Sequence, residues 1–167
     1  MLEDRDLRLR ICDPLRDADA ALPWYRDPEV LRMSEGPDAV PFDRARIVRM
    51  YEHLASVGEL YMIEVRDETG WRTVGDVTLA QDTVPIVIGE KNYRGRGLGG
   101  RVLDLLIDRT LALGWEHLEA KQIFSYNEAS RRLFSSRGFQ QSESGVDAQG
   151  RPFERYHLQL RDRPNGL

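Results

Sequence analysis

The chain reads as an α+β fold with a mixed, mostly antiparallel central sheet flanked by helices. Two observations point there. Apolar, β-branched runs follow one another with only turns between them, so neighbouring strands pair as hairpins. Helical stretches enter singly, without the regular alternation of a doubly wound sheet. The 167 residues, 41% hydrophobic and 31% charged, suit one soluble domain with a substantial core. We expect that domain to span 1–167, with its core at about 7–160 and a frayed tail at 161–167.

Leu7, Leu9 and Ile11 alternate with Arg8, Arg10 and Cys12, as in a strand with one buried face. Asp17 to Arg26 reads as a short helix that Pro28 interrupts. Gly36, Pro37 and Pro41 make Ser34 to Pro41 a loop. Asp43 is a suitable N-cap for a helix to about Ser56, with Ile47, Met50, Tyr51 and Leu54 on one stripe. Leu60–Val65 and Thr73–Leu79 follow as strands joined by the turn Asp67-Glu68-Thr69-Gly70. Thr83–Ile88 extends the meander, with Pro85 interrupting its ladder. Leu98, Val102, Leu105, Leu106 and Leu113 recur at helical spacing before Gly114. A strand at His117–Phe124 and a helix at Asn127–Ser136 come next. Two strands close the fold, one from Phe139 and one at Phe153–Leu160, joined through Asp147-Ala148-Gln149-Gly150.

A net charge of −4 argues against a nucleic-acid partner. One cysteine, Cys12, permits no intrachain disulfide and reads as a small strand residue. His53, His117 and His157 lack ligand spacing, so no metal site is expected. The charged start, Met1 to Arg5, does not read as a signal peptide. No apolar run approaches the roughly 18 residues of a membrane span. We therefore expect a cytoplasmic protein without a membrane partner. Exposed sheet edges leave room for a homodimer.

The segment Tyr93-Arg94-Gly95-Arg96-Gly97-Leu98-Gly99-Gly100 links a strand to a helix. The first N–H groups of a helix lack internal partners and sit at the positive end of its dipole. Glycines let that backbone approach a phosphate, and Arg94 and Arg96 add positive charge. Gly95, Gly97 and Gly100 also fit the GxGxxG dinucleotide pattern, with Glu116 and Glu119 near the place of a ribose-binding acid. The antiparallel hairpin before the turn does not suit that fold, although an NAD(P)-dependent oxidoreductase stays open as an alternative.

A second segment, Asn127-Glu128-Ala129-Ser130-Arg131-Arg132-Leu133-Phe134-Ser135-Ser136-Arg137-Gly138-Phe139, follows the next strand. Together with Arg94-Gly95-Arg96-Gly97-Leu98-Gly99 it resembles the GNAT superfamily of N-acetyltransferases. The first segment resembles that family's Arg/Gln-x-x-Gly-x-Gly/Ala signature. The second resembles its Asn-x-x-Ala-x-x-x-Tyr-x-x-x-Gly-Phe element, with Ser130 for Ala and Phe134 for Tyr. The order of elements from Leu7 to Leu160 is similar too. Trp24-Tyr25-Arg26-Asp27-Pro28-Glu29-Val30 looks similar to members acting on aminoglycosides or ribosomal-protein N-termini.

The resemblance implies direct transfer of an acetyl group from acetyl-CoA to a primary amine of a small molecule or peptide. A non-catalytic acyl-CoA-binding module is the other alternative. By match, the amides of Arg94, Gly95, Arg96, Gly97, Leu98 and Gly99, with Gly100 adjacent, would bind the pyrophosphate. Ile88, Gly89 and Glu90 would bind the pantetheine arm, with a backbone N–H at Ile88 polarising the thioester. Asn127 would contact that arm or cap its helix. Glu90, Asp82 and Glu35 are the candidate general bases. Phe134 occupies the place of the family's acid and cannot donate a proton, which leaves Ser130, Tyr126 or water. The acceptor wall is expected at Trp24 to Tyr51, where Trp24, Tyr25, Met33, Phe42 and Tyr51 accompany Asp27, Glu29, Glu35 and Asp38. The hairpin and the last strands are expected opposite.

Overall fold

In the computed structural model, which describes residues 1–160, strands and helices alternate unevenly. The order is β1 (Leu2–Asp4), β2 (Leu7–Ile11), α1 (Pro14–Ala21), a 3-10 turn (Trp24–Arg26), α2 (Pro28–Ser34) and α3 (Arg44–Val57). Then come β3 (Glu59–Asp67), β4 (Gly70–Leu79), β5 (Ile86–Ile88), a 3-10 turn (Lys91–Tyr93) and α4 (Leu98–Ala112). The chain continues through β6 (His117–Phe124), α5 (Glu128–Ser136), β7 (Gln140–Val146) and β8 (Pro152–Gln159). The expected tail at 161–167 lies outside the described residues.

The α+β class and its antiparallel pairing are as expected, but the strands divide into two sheets. One has the order β1-β2-β3-β4-β5 and the other β6-β8-β7. No ladder joins β5 to β6 among the described residues, and each of the assigned strand pairs is antiparallel.

Alternation in the strands sorts side chains onto two cores. Leu7 and Leu9 of β2 and Tyr61, Ile63 and Val65 of β3 face α4, where Val102, Leu103, Leu106 and Ile107 are buried. Leu60 and Met62 face the opposite way, against Ala18, Ala21, Ile47 and Tyr51 from α1 and α3. Arg8 and Arg10 share that second face with Glu64, and Arg10 also bonds Asp17 of α1. Buried carboxylates are thus matched by guanidinium groups and not left alone.

Three expectations near the N-terminus are corrected. The first helix runs over Pro14–Ala21, earlier than expected, because Asp13 accepts from the Leu15 and Arg16 amides and Pro14 takes the first turn. Pro28 does not interrupt a helix; it opens α2, capped by the Asp27 side chain. The additional strand β1 pairs with β2. Further on, the third strand of the meander shrinks to Ile86–Ile88, since Pro85 offers no N–H, and only an isolated bridge joins Ala80 and Thr83. The Asp43 cap and the α3 stripe stand as expected.

Asp76 of β4 fastens the helical layer to the sheet. It is buried and accepts from the Tyr25 hydroxyl at 2.9 Å and the Tyr51 hydroxyl at 2.7 Å. Burial pushes its carboxyl up to about 6, against the two tyrosine hydrogen bonds, which favour the anion. The folded protein therefore holds this proton more tightly than the unfolded chain. The group's stabilisation is complete below its ordinary value of 3.8 and is lost as pH rises through about 6. In urea unfolding, the wild-type stability relative to Asp76→Asn should fall by about 3 kcal/mol between about pH 4 and about pH 7. A difference that is flat or rises with pH would contradict this assignment.

Candidate active site

The open side of β5 faces a groove of about 500 Å³, whose other wall is β6. Thr78 donates to the Pro85 carbonyl, and bonded pairs alternate along an antiparallel ladder. Val87 therefore pairs with Asp76, whereas Ile86 and Ile88 turn their backbone groups away from β4. Ile86 and Ile88 line the groove, together with Ala120, Gln122, Ile123 and Phe124 of β6. Its ends are formed by the glycine turn and α4 on one side and by Met33 and Ser34 of α2 on the other.

Gly95 and Gly97 adopt left-handed conformations, with φ of 70° and 75°. Gly97 is the N-cap of α4 and supplies no capping side chain. The first helical bond runs from the Arg101 amide to the Gly97 carbonyl, so the amides of Leu98, Gly99 and Gly100 precede it without helical partners. A Cβ at Gly95 or Gly97 would meet nothing within 4 Å, so this face of the turn lies open. Gly99 and Gly100 have another task. Side chains there would press on Leu133 and Arg137 of α5.

Arg94 is committed inside the protein. Its Nε donates to the Ile88 carbonyl at 2.8 Å and its Nη2 to the Gly89 carbonyl at 2.7 Å. The same guanidinium bonds Asp27 and Glu29 at the start of α2, each at 3.0 Å. Two carboxylates neutralise its charge, so its side chain braces β5 against α2. Arg96 is exposed and lies over the Tyr93 ring at 5.4 Å, leaving a free cation beside the turn.

Asn127 caps α5 by accepting from the Ser130 amide and donates to the Met33 carbonyl at 3.3 Å. The Tyr126 hydroxyl donates to the Arg32 carbonyl. These two bonds draw the end of α2 across to the start of α5. Ser130 and Phe134 line the groove, and Phe134 packs edge-on against Phe139. Tyr126 is tied up beside it.

The carboxylates separate into different roles. Glu90 does not line the groove; it accepts from the Trp24 indole at 3.0 Å. That indole fills the space over Gly89, which a side chain there would need. Asp82 pairs with Lys121 at 3.0 Å. Glu35 is half-buried and opens onto a second cavity of about 300 Å³. Burial raises its pKa above the ordinary carboxylate value, with Arg46 opposing.

The expected aromatic acceptor wall is not there. Trp24, Tyr25, Phe42 and Tyr51 are core residues, at most 4% exposed. Met33 alone of that group reaches the groove. The second cavity is instead built by Ser34, Glu35, Thr83, Lys121, Gln122, Phe124 and Arg151. Of these, the sequence had pointed only to Glu35 by name and to the last hairpin as a region. Cys12 is buried, its thiol pushed up to about 12 mainly by desolvation. Among the described residues there is no cluster fit to hold a metal ion, and no helix is long and apolar enough to cross a membrane.

A family model described as an acetyltransferase (GNAT) domain matches residues 6–140. The chain belongs to the GNAT acetyltransferase family. It is accordingly an acetyl-CoA-dependent N-acetyltransferase, and the oxidoreductase and non-catalytic alternatives fall away. Three solved structures are similar to this GNAT enzyme in fold. A domain from Methanocaldococcus jannaschii DSM 2661 has a TM-score of 0.80 and 20% identity, covering 94% of this chain and 100% of its own. Aminoglycoside acetyltransferase AAC(6')-Ib in complex with coenzyme A has a TM-score of 0.74 and 13% identity, over 92% and 94%. The ribosomal L7/L12 α-N-protein acetyltransferase RimL, also with coenzyme A, has a TM-score of 0.76 and 14% identity, over 94% and 96%. No curated protein matches in sequence.

The groove suits a CoA-sized ligand on its own terms: open strand amides, a bare glycine turn and unpartnered helix N–H groups. Gly97→Val places a β-branched residue at φ 75° and a side chain over the turn. Calorimetry should show acetyl-CoA affinity reduced by about tenfold or more. Wild-type affinity in that variant would refute the backbone cradle.

Proposed function

We propose that this GNAT enzyme acetylates a primary amine that reaches the thioester through the Glu35 cavity, by direct transfer within a ternary complex. The supporting observation is continuity. Ser34, Thr83, Gln122 and Phe124 line both the groove and that cavity. A donor in the groove and an amine in the cavity would therefore meet at shared walls.

In this reading the backbone of the 94–99 turn holds the pyrophosphate, and Arg96 adds charge beside it. Arg94 serves through its backbone, its side chain being the brace already described. Gly100 lets α4 and α5 approach. Ile86 and Ile88 offer backbone hydrogen bonds to the pantetheine arm, while Gly89 and Glu90 hold the strand end against Trp24. The Ile88 N–H, turned from β4, polarises the acetyl carbonyl as charge develops on its oxygen. Asn127 fixes the start of α5 beside this point, and Phe134 supplies apolar wall.

Bound acetyl-CoA supplies the acetyl carbon and a thiolate leaving group. Glu35 takes the proton that the amine must lose as its nitrogen bonds that carbon, and the carbon–sulfur bond breaks. Glu35 is preferred over Glu90 because it faces the acceptor cavity and its raised pKa brings it towards the working range of a base. Ser130 or water serves the departing sulfur, since Phe134 cannot. A thiolate is tolerable near neutral pH, so the phenol is dispensable.

The first experiment is calorimetric titration with acetyl-CoA, with NAD(P)H and ATP as controls. Binding of acetyl-CoA alone, in the micromolar range expected for such substrates, supports the reading. Binding of NAD(P)H instead would overturn it. In steady-state kinetics, kcat/KM should rise with pH as Glu35 loses its proton. Glu35→Gln should lower kcat by about 100-fold or more and abolish that rise, leaving acetyl-CoA affinity unchanged. Phe134→Tyr should keep acetyl-CoA affinity within about threefold, because it adds one hydroxyl to an existing wall; a much larger loss would show α5 to be wrongly placed against the cofactor.

A further inference from the structure

The Glu35 cavity carries one acid and two bases. Lys121 and Arg151 line it opposite the single carboxylate. Arg151 is built in, with its side chain only 23% exposed. Its guanidinium lies over the Phe124 ring at 5.1 Å, and Nε donates to Asp147 at 2.6 Å. Nη2 donates to Gln149 at 3.2 Å, and Nη1 reaches the Glu35 carbonyl at 3.5 Å. Gly36 makes that position open to Arg151, because any side chain there would collide with the guanidinium. Three of five N–H groups are thus engaged, and each terminal nitrogen keeps one to offer. Lys121 pairs with Asp82, but both are about half exposed. Such a pair contributes little and can open for a better partner.

From this arrangement, and resting on the acceptor reading above, we propose that the acceptor carries a carboxylate close to its reactive amine, and that Arg151, with Lys121, binds it. A carboxylate on Arg151 gains charge-assisted bonds from a planar donor already held in place. It directs the amine of the same molecule towards Glu35 and the shared wall of the groove. A polyamine or aminoglycoside would bring its further ammonium groups against Lys121 and Arg151, a like-charge cost that opposes binding. The chemistry has two sources: a free α-amino acid, or a peptide N-terminus with an acidic side chain nearby.

The test is free-thiol release from acetyl-CoA by the full-length enzyme, with amines offered in matched pairs. Free amino acids are compared with their carboxamides. Peptides with blocked C-termini and Asp or Glu near the N-terminus are compared with their Asn or Gln counterparts. Spermidine and kanamycin stand as polycations. The carboxylate member of a pair should exceed its amide in kcat/KM by about tenfold or more, the scale of one charge-assisted contact. Turnover of the free acids alone assigns the small-molecule source, and turnover of the acidic peptides assigns the peptide source.

Arg151→Gln should erase the difference by slowing the carboxylate member and sparing the amide. The wild-type pairs decide the matter even if that variant does not fold. Amides or polycations preferred over carboxylates would overturn the proposal. So would acetyl-CoA binding with no thiol release from any carboxylate amine. Absence of acetyl-CoA binding is a separate result, since it removes the reading of the groove and the acceptor class with it.

Discussion

A strand edge in the interior must find hydrogen-bond partners for its backbone, and this requirement governs the molecule's centre. The edge of β5 has none from β6, because the two strands belong to different sheets. Part of the demand is met by Arg94, which bonds the Ile88 and Gly89 carbonyls. The remaining groups face the groove. An extended arm with amides of its own is the complementary ligand. The split between the sheets is therefore the binding site, and the surrounding contacts keep it open without letting it unravel. Trp24 packs on Gly89 below, Asn127 and Tyr126 hold α2 above, and the Asp76 tyrosine pair fixes the helical layer behind.

The two substrates are met by different kinds of group. The donor side is mostly backbone: helix N–H groups, left-handed glycines and an unpaired strand. The acceptor side is mostly side chain: Glu35, Lys121, Gln122 and Arg151, drawn from a loop, a strand and a hairpin end. Backbone recognition constrains the sequence locally, since only glycine suits Gly95 and Gly97 without strain. Side-chain recognition drawn from distant segments leaves no local pattern.

That contrast explains what could be read in the sequence. The glycine turn, the α3 stripe behind Asp43 and the β3–β4 hairpin were legible because each is specified by neighbouring residues. Pro14 and Pro28 were harder, since a proline can break a helix or open one, and the capping aspartate before it decides which. Trp24, Tyr25, Phe42 and Tyr51 suggested a pocket wall, but an aromatic residue near a charge is equally at home in a core. Glu90 was placed correctly along the chain and wrongly in space. Its side chain follows Trp24, a partner 66 positions away. Arg151 gave no signal at all, because its role depends on Gly36 and Phe124 arriving from elsewhere.

Arg94 belongs to two structures at once. It opens the glycine turn, and it clasps the first residues of α2 through Asp27 and Glu29. A ligand that orders the turn also holds this arginine still, and so adds to the docking energy of α2. The end of α2 leads directly to Glu35. Occupation of the donor site thus narrows the fluctuations of the base before any acceptor arrives, which favours an ordered sequence of arrival. Hydrogen exchange at the amides of 28–35 is the natural gauge of that coupling, slow when the turn is filled and faster when it is empty.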